Sequence, residues 1–224
     1  MFNQEFRSIY DQKYDFDEFD SQCDHIIIIH NPTDKIVGTY RLNSSLYSKD
    51  FYTAQEFDLS ILELSKDPIL ELGRACIQKE HRRGSVITLL WKGIAEYMNI
   101  SKSKVLIGCS SIKISSARDA ALIYYYLGQK GQIETKYSSK PQPLYQMPSF
   151  SSWLDFFDQC YAENYELEAE SLIPSLLKSY LRLGAKVVGE PAYDQDFDCV
   201  DYLTILHRDQ FSKSAEKKYG IEVS

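Results

Sequence analysis

Apolar positions along the chain switch between a strand-like and a helix-like period. Ile26-Ile27-Ile28-Ile29 is a β-branched run without polar alternation, which predicts a short strand covered on both faces. Asn31-Pro32-Thr33-Asp34 interrupts it and Lys35 to Leu42 resumes as a strand, giving a hairpin. Leu70 to Ile77 and Val105 to Ile112 read as two further strands. Between them Ile87, Leu90, Trp91, Ile94 and Met98 recur at the spacing of one buried helical stripe. The centre of the chain is therefore strand, basic turn, amphipathic helix, strand, with Ser85 as the expected N-cap.

The flanks are weaker. Met1 to Tyr14 resembles the tail of a helix and leads into an acidic turn, Asp15 to Asp20. Leu46 to Pro68 is a mixed connection with few signals. Ser116 is placed to cap a helix through Leu127 that Gly128 ends. Lys130 to Met147 reads as an irregular surface excursion, and Ser149 to Glu170 as acidic, aromatic and helical. Leu172 to Leu183 is a cleaner helix, with Pro174 in its first turn and Gly184 as its stop. Lys186 to Gly189 and Val200 to Leu206 are the expected closing strands, and the chain from Lys213 onward is expected to fray. No repeat or linker divides the sequence, so one domain over residues 1–224 is expected.

Composition narrows the function classes. At 224 residues the chain can bury a full core, and 44% hydrophobic with 25% charged residues is ordinary for a globular protein. A net charge of −7 argues against nucleic-acid partners, which need a strongly basic surface. No run reaches the roughly 18 apolar residues of a membrane span, and the polar, acidic start is unlike a signal peptide. Five scattered cysteines without C-x-x-C fit a reduced cytoplasmic chain, and four histidines without zinc spacing predict no metal.

Three candidate features carry chemistry. In a regular strand Glu71 and Arg74 would face opposite sides; a bulge at Gly73 would bring them to one side. Arg82-Arg83-Gly84-Ser85 opens directly into the helix, where backbone amides, the positive helix end and two guanidinium groups suit a phosphate. The same residues also fit a solvated basic turn. In the second strand Val37, Thr39 and Arg41 share a face, so Arg41 is either a surface arginine or one turned to a ligand. Cys76 and Cys109 have no adjacent histidine and fit strand packing better than nucleophiles. Gly108-Cys-Ser110-Ser-Ile112 lacks the last glycine of a nucleophile elbow, which argues against a serine hydrolase.

Glu71-Leu-Gly-Arg74-Ala-Cys-Ile, Glu80-His-Arg-Arg83 and Leu90-Trp-Lys-Gly-Ile-Ala95 resemble the L-ornithine Nα-acyltransferases, GNAT-like enzymes also called hemolysin-like. Asp17-Glu-Phe-Asp20, Val37 to Leu42, Gly108 to Ile112, Tyr180 to Lys186 and Asp201 to Leu206 extend the resemblance over most of the chain. More distantly, Asp17-x-x-Asp20, Arg41 and Glu71-x-x-Arg74 are similar to the acyl-homoserine-lactone synthases. The resemblance implies an α/β (α+β) GNAT-like three-layer fold with flanking helices and a mixed sheet. Its central strands, Leu70–Ile77 and Val105–Ile112, would splay to admit the donor. Met1-Phe-Asn-Gln-Glu-Phe6 matches the middle of the family's first helix, so the N-terminal strand is expected to be missing.

By the same resemblance the donor is the acyl-phosphopantetheine of acyl carrier protein, the acceptor an amino acid such as ornithine, and no cofactor is bound permanently. Only Gly84 remains of the usual GNAT glycine pair, which favours a carrier protein over coenzyme A. Glu71, oriented by Arg74, is the expected base; Asp17, Asp20, Arg41 and Ser110 would bind the acceptor. Cys76, Arg82, Arg83, Gly84 and Ser85 would hold the phosphopantetheine. Lys79, His81 and Lys92 would add a positive field for the acidic carrier. The expected compartment is the cytoplasm, with peripheral contact at the inner membrane left open by the sequence.

Overall fold

The computed structural model describes residues 16–60, 66–82, 84–160 and 163–221. Among them the β-branched and aromatic runs form seven strands: β1 (Asp24–His30), β2 (Lys35–Ser44), β3 (Ile69–Ile77), β4 (Val105–Ile112), β5 (Lys186–Val187), β6 (Ala192–Asp194) and β7 (Cys199–His207). They make one sheet in the order β1-β2-β3-β4-β7-β5, with β6 also paired to β7. β3 and β4 run parallel and the other pairs are antiparallel. The helices are α1 (Thr53–Glu56), α2 (Val86–Ile100), α3 (Ala117–Gln129), α4 (Phe150–Cys160), α5 (Glu163–Leu172), α6 (Ser175–Leu183) and α7 (Lys213–Tyr219).

The stripe anticipated on α2 is the centre of the main core. Leu90, Trp91, Ile94 and Met98 pack on Tyr40, Leu42, Leu70 and Leu106. Full burial of each such side chain stabilises the fold by about 1.5–3 kcal/mol. Residues one step along the same strands, Ile69, Ile107 and Ile205, point to the opposite face and meet Phe51 and Phe57. A further cluster at the β4–β7 end joins Ile112, Val200 and Tyr202 to α3, α4, α5 and α6. This is the expected mixed sheet with flanking helices. No helix among the described residues is long and apolar enough to cross a membrane.

Several local expectations change. β1 is covered on one face only, because it is the last described strand of the sheet and α2 lies on one side of it. Ile26 and Ile28 pack into the main core, while Ile27 and Ile29 are 47% and 46% exposed. Residues 213–221 are ordered rather than frayed. They form α7, capped where Ser212 accepts the Ala215 N–H and closed by Gly220 at φ 75°. Ala215 and Ile221 seat it on the main core. The acidic aromatic stretch is helical as expected, in α4 and α5, and β6 adds a short strand before β7. Ser116 caps α3 as expected, but the helix runs through Gly128 to Gln129. Gly184 does end α6, at φ 109°. The expectations for Met1 to Tyr14 and the absent strand lie outside the described residues.

The parting of β3 and β4 positions the site. Their register covers only Ile69↔Val105, Leu70↔Leu106 and Glu71↔Ile107, although β3 continues to Ile77 and β4 to Ile112. Gly108 sits at the fork. A Cβ there would stand 2.4 Å from the carbonyl oxygen of Leu72. Gly108→Ala should therefore force the strands apart and destabilise the protein by about 1–3 kcal/mol, read as a lower midpoint in denaturant unfolding.

Candidate active site

Beyond the fork lies a cavity of about 530 Å³, reaching from Glu71 and Cys109 to Trp91, Leu177 and Tyr180. Its floor is shaped by a bulge, though not at Gly73. Thr39 pairs with Cys76 and Arg41 with Gly73, so β3 carries one residue more than β2 over this interval. The irregular residue is Arg74, in the left-handed region at φ 49°. A side-chain-bearing residue there is uncommon and is held by its surroundings. Here the anchor is Asp17, whose Oδ2 accepts from Arg74 Nη2 at 2.7 Å.

Asp17 also ties down Arg41. Arg41 Nη1 donates to Asp17 Oδ1 at 2.6 Å and to Asp20 Oδ1 at 3.2 Å. The bulge explains why Arg41 is not a surface arginine: Tyr40 and Arg41 are both buried, at 1% and 4% exposure. Its guanidinium lies 5.6 Å from the Phe19 ring and 5.5 Å from the Tyr52 ring. Asp17 and Asp20 are the two ends of a capping box on the 3₁₀ turn Glu18–Ser21, which fixes both carboxylates before they meet arginine. Burial works to raise the Asp17 carboxyl, but Arg41 and Arg74 outweigh it and hold the group below the usual carboxylate range.

Glu71 has a different setting. It is 4% exposed and lines the cavity at the fork. Its Oε1 accepts the Thr53 N–H at 2.7 Å and its Oε2 accepts the Tyr52 N–H at 3.1 Å. Burial raises its carboxyl above the ordinary value, partly offset by those bonds and by Arg41. The result is a fixed carboxylate with enhanced proton affinity, the property a general base needs near neutral pH. The sequence pairs Glu71 with Arg74, whereas the structure has Arg74 on Asp17 and cradles Glu71 with backbone amides. Tyr52 and Thr53 stand in the stretch that gave few signals, and backbone donors leave no mark in a sequence.

The remaining candidates occupy two places. Ser110 lines the cavity on β4 and accepts from Thr204 Oγ1 at 2.7 Å. Cys76 lines the cavity from β3 and Cys109 from β4, the latter with its thiol pushed well up by burial, which removes it as a thiolate nucleophile. At the mouth, Arg82 is exposed and donates through Nε to the Ile77 carbonyl at 3.0 Å. Gly84 and Ser85 are exposed beside the start of α2. Ser85 holds the N-cap position, but its side chain makes no cap bond; its carbonyl accepts the Leu89 N–H instead. Arg83 lies outside the described residues.

Residues 1–92 match the acetyltransferase (GNAT) domain. An L-ornithine N(alpha)-acyltransferase of Agrobacterium fabrum is 31% identical over 211 residues, which are 87% of this chain and 68% of that one. Another, of Brucella abortus, is 30% identical over 224 residues, covering 95% of this chain and 77% of that one. The chain belongs to the L-ornithine Nα-acyltransferase family. It is an acyltransferase, and its fork, buried carboxylate and cavity belong to a GNAT-type fold. Among solved structures, a CoA-dependent acyl-homoserine lactone synthase aligns with 97% of this chain and 80% of its own, at 13% identity and a TM-score of 0.48.

Proposed function

We propose that this acyltransferase moves a (3-hydroxy)acyl group from acyl carrier protein to the α-amine of L-ornithine, giving lyso-ornithine lipid. The observation that carries the reading is Glu71, buried where β3 and β4 part and facing the cavity between them. The acceptor follows the named activity of the relatives. The donor reading rests on the open fork, which suits an extended arm, and on exposed Lys79, Arg82 and Lys92 for an acidic carrier.

A terminal α-amine has a reference pKa of roughly 8, so most of it arrives protonated at pH 7. Glu71 takes one proton from the ammonium and releases it to solvent, and the freed amine attacks the thioester carbon. The new C–N bond forms, the C–S bond breaks, and the second proton shed by the nitrogen leaves on the pantetheine thiol. Backbone amides along the bulged Gly73–Cys76 stretch are the donors offered to the tetrahedral oxyanion. Asp17, Asp20, Arg41 and Arg74 are spent largely on one another, so their part is to hold the wall and bulge beside Glu71. The apolar side, with Trp91, Leu177 and Tyr180, receives the acyl chain.

Purified protein incubated with 3-hydroxyacyl carrier protein and a panel of amino acids tests this reading by mass spectrometry. Nα-acylornithine is the expected product. No product with any acceptor would sink the reading, and product with glycine but not ornithine would remove ornithine from it. In the same assay Arg82→Glu should raise KM for the carrier by about tenfold with a smaller change in kcat, as loss of a docking charge does.

A further inference from the structure

A second acidic group opens on the same cavity, away from Glu71. Glu56, Asp194 and Asp201 are 1%, 5% and 2% exposed, and all three line the cavity. Ligand atoms of Glu56, Cys109 and Asp201 lie within 4.8 Å of one another, as do those of Asp194, Cys199 and Asp201. Asp201 accepts from Ser111 Oγ at 2.6 Å and from Cys199 Sγ at 3.4 Å. Asp194 Oδ1 accepts the N–H groups of Asp196 and Phe197 at 2.8 and 3.1 Å. Among the described residues, no cation pairs with any of the three.

This contrasts with Asp17 and Asp20, whose charge is met by arginine. Glu56 Oε2 is buried and has no hydrogen-bond partner among the described residues. A buried carboxyl oxygen left unpaired costs stability, so a protein keeps one where a ligand completes it. Burial, with the neighbouring Asp201 and Asp194 charges, pushes Glu56 well up. Burial with the Asp194 charge pushes Asp201 up to about 6 against its bonds to Ser111, Cys199 and Glu56, so a cation brought among them would be stabilised. Burial also pushes the Cys109 and Cys199 thiols up, so the carboxyl oxygens are the acceptors the cluster offers to an ammonium.

α1 connects the two acidic places. Glu71 holds the amides of Tyr52 and Thr53 at its start, and Glu56 is its last residue. Thr53 and Glu56 are thus about 5 Å apart along the axis, a length that a three-carbon side chain spans.

We propose that Glu56, with Asp194 and Asp201, forms a subsite for the distal ammonium of a diamino-acid acceptor and so sets the enzyme's preference for a dibasic substrate. The inference rests on the transfer reaction proposed above. The α-amine lies at Glu71 and the second amine lies at Glu56.

The test compares kcat/KM for L-ornithine and L-norvaline, which keeps the carbon chain and lacks the terminal amine. The native enzyme should favour ornithine by at least about 100-fold, because norvaline leaves buried carboxyls unpaired. Glu56→Gln and Asp201→Asn should each lower that ratio by about tenfold or more. Failure of both amines to be acylated would overturn the transfer reading itself. Ornithine and norvaline turned over equally by the native enzyme would overturn only the subsite, and needs no variant to fold. So would a Glu56→Gln enzyme, folded by its thermal transition, that keeps the full preference. A stoichiometric divalent metal retained through purification and lost in Glu56→Gln would also overturn it, since the carboxyls would then be ligands.

Discussion

Glu71→Gln should lower kcat by about 10²–10⁴-fold, the usual contribution of a positioned general base, which is roughly 3–5 kcal/mol of barrier. The amide keeps the size of the side chain, and its carbonyl oxygen can still accept one of the Tyr52 and Thr53 N–H groups. The fold should therefore survive, and KM for the donor should move far less than kcat. Stopped assays at saturating donor and acceptor read this directly. A variant with full kcat would mean that Glu71 is a structural acceptor for α1 and nothing more.

Arg41→Ala should produce the largest loss of stability. It removes a 4%-exposed guanidinium that pairs with Asp17 and Asp20 and lies against the Phe19 and Tyr52 rings, so charge pairing and ring contacts are lost together. Breaking a buried pair from one side costs about 3–5 kcal/mol, which in a domain of this size lowers Tm by about 10 °C. The sign with pH follows from Asp17. Its folded carboxyl lies below the ordinary value, so the network stabilises the protein at neutral pH. That contribution fades as pH falls through the lowered value, and the gap between native and Arg41→Ala in calorimetry should narrow in acid. A constant gap would place the damage in packing rather than charge.

The elements with strong periodicity were legible from sequence: the hairpin, the helical stripe from Ile87 to Met98, and the strands on either side of it. α7 was not, because a Lys-rich seven-residue helix shows no stripe and is set by its Ser212 and Gly220 caps and by Ala215 and Ile221 on the main core. β1 was misjudged because four isoleucines in a row look alike, while only the neighbouring α2 decides which of them it covers. The bulge was anticipated at glycine, the residue that most easily accepts it, yet the positive φ falls on Arg74 because Asp17 holds its guanidinium.

The site divides in the same way. Asp17, Asp20, Arg41, Glu71 and Arg74 do converge, as the motif resemblance implied. What the sequence left out is who holds whom. Backbone amides of Tyr52 and Thr53 cradle Glu71 while Arg74 bonds Asp17, and Glu56, Asp194 and Asp201 reach the cavity from segments without a shared motif. Such partners are made by the chain crossing at Phe51–Phe57 and the turn before β7, contacts that no local pattern encodes.

The most direct test of the account is the pH dependence of kcat at saturating donor and acceptor, measured side by side for the native enzyme and Glu71→Gln. Burial raises the Glu71 carboxyl, so native activity should be lost as pH falls through a limb above the ordinary glutamate value, where the base becomes protonated. The variant should lack that limb, its residual rate following only deprotonation of the amine. The same limb in both proteins would contradict the assignment of Glu71 as the base at the fork.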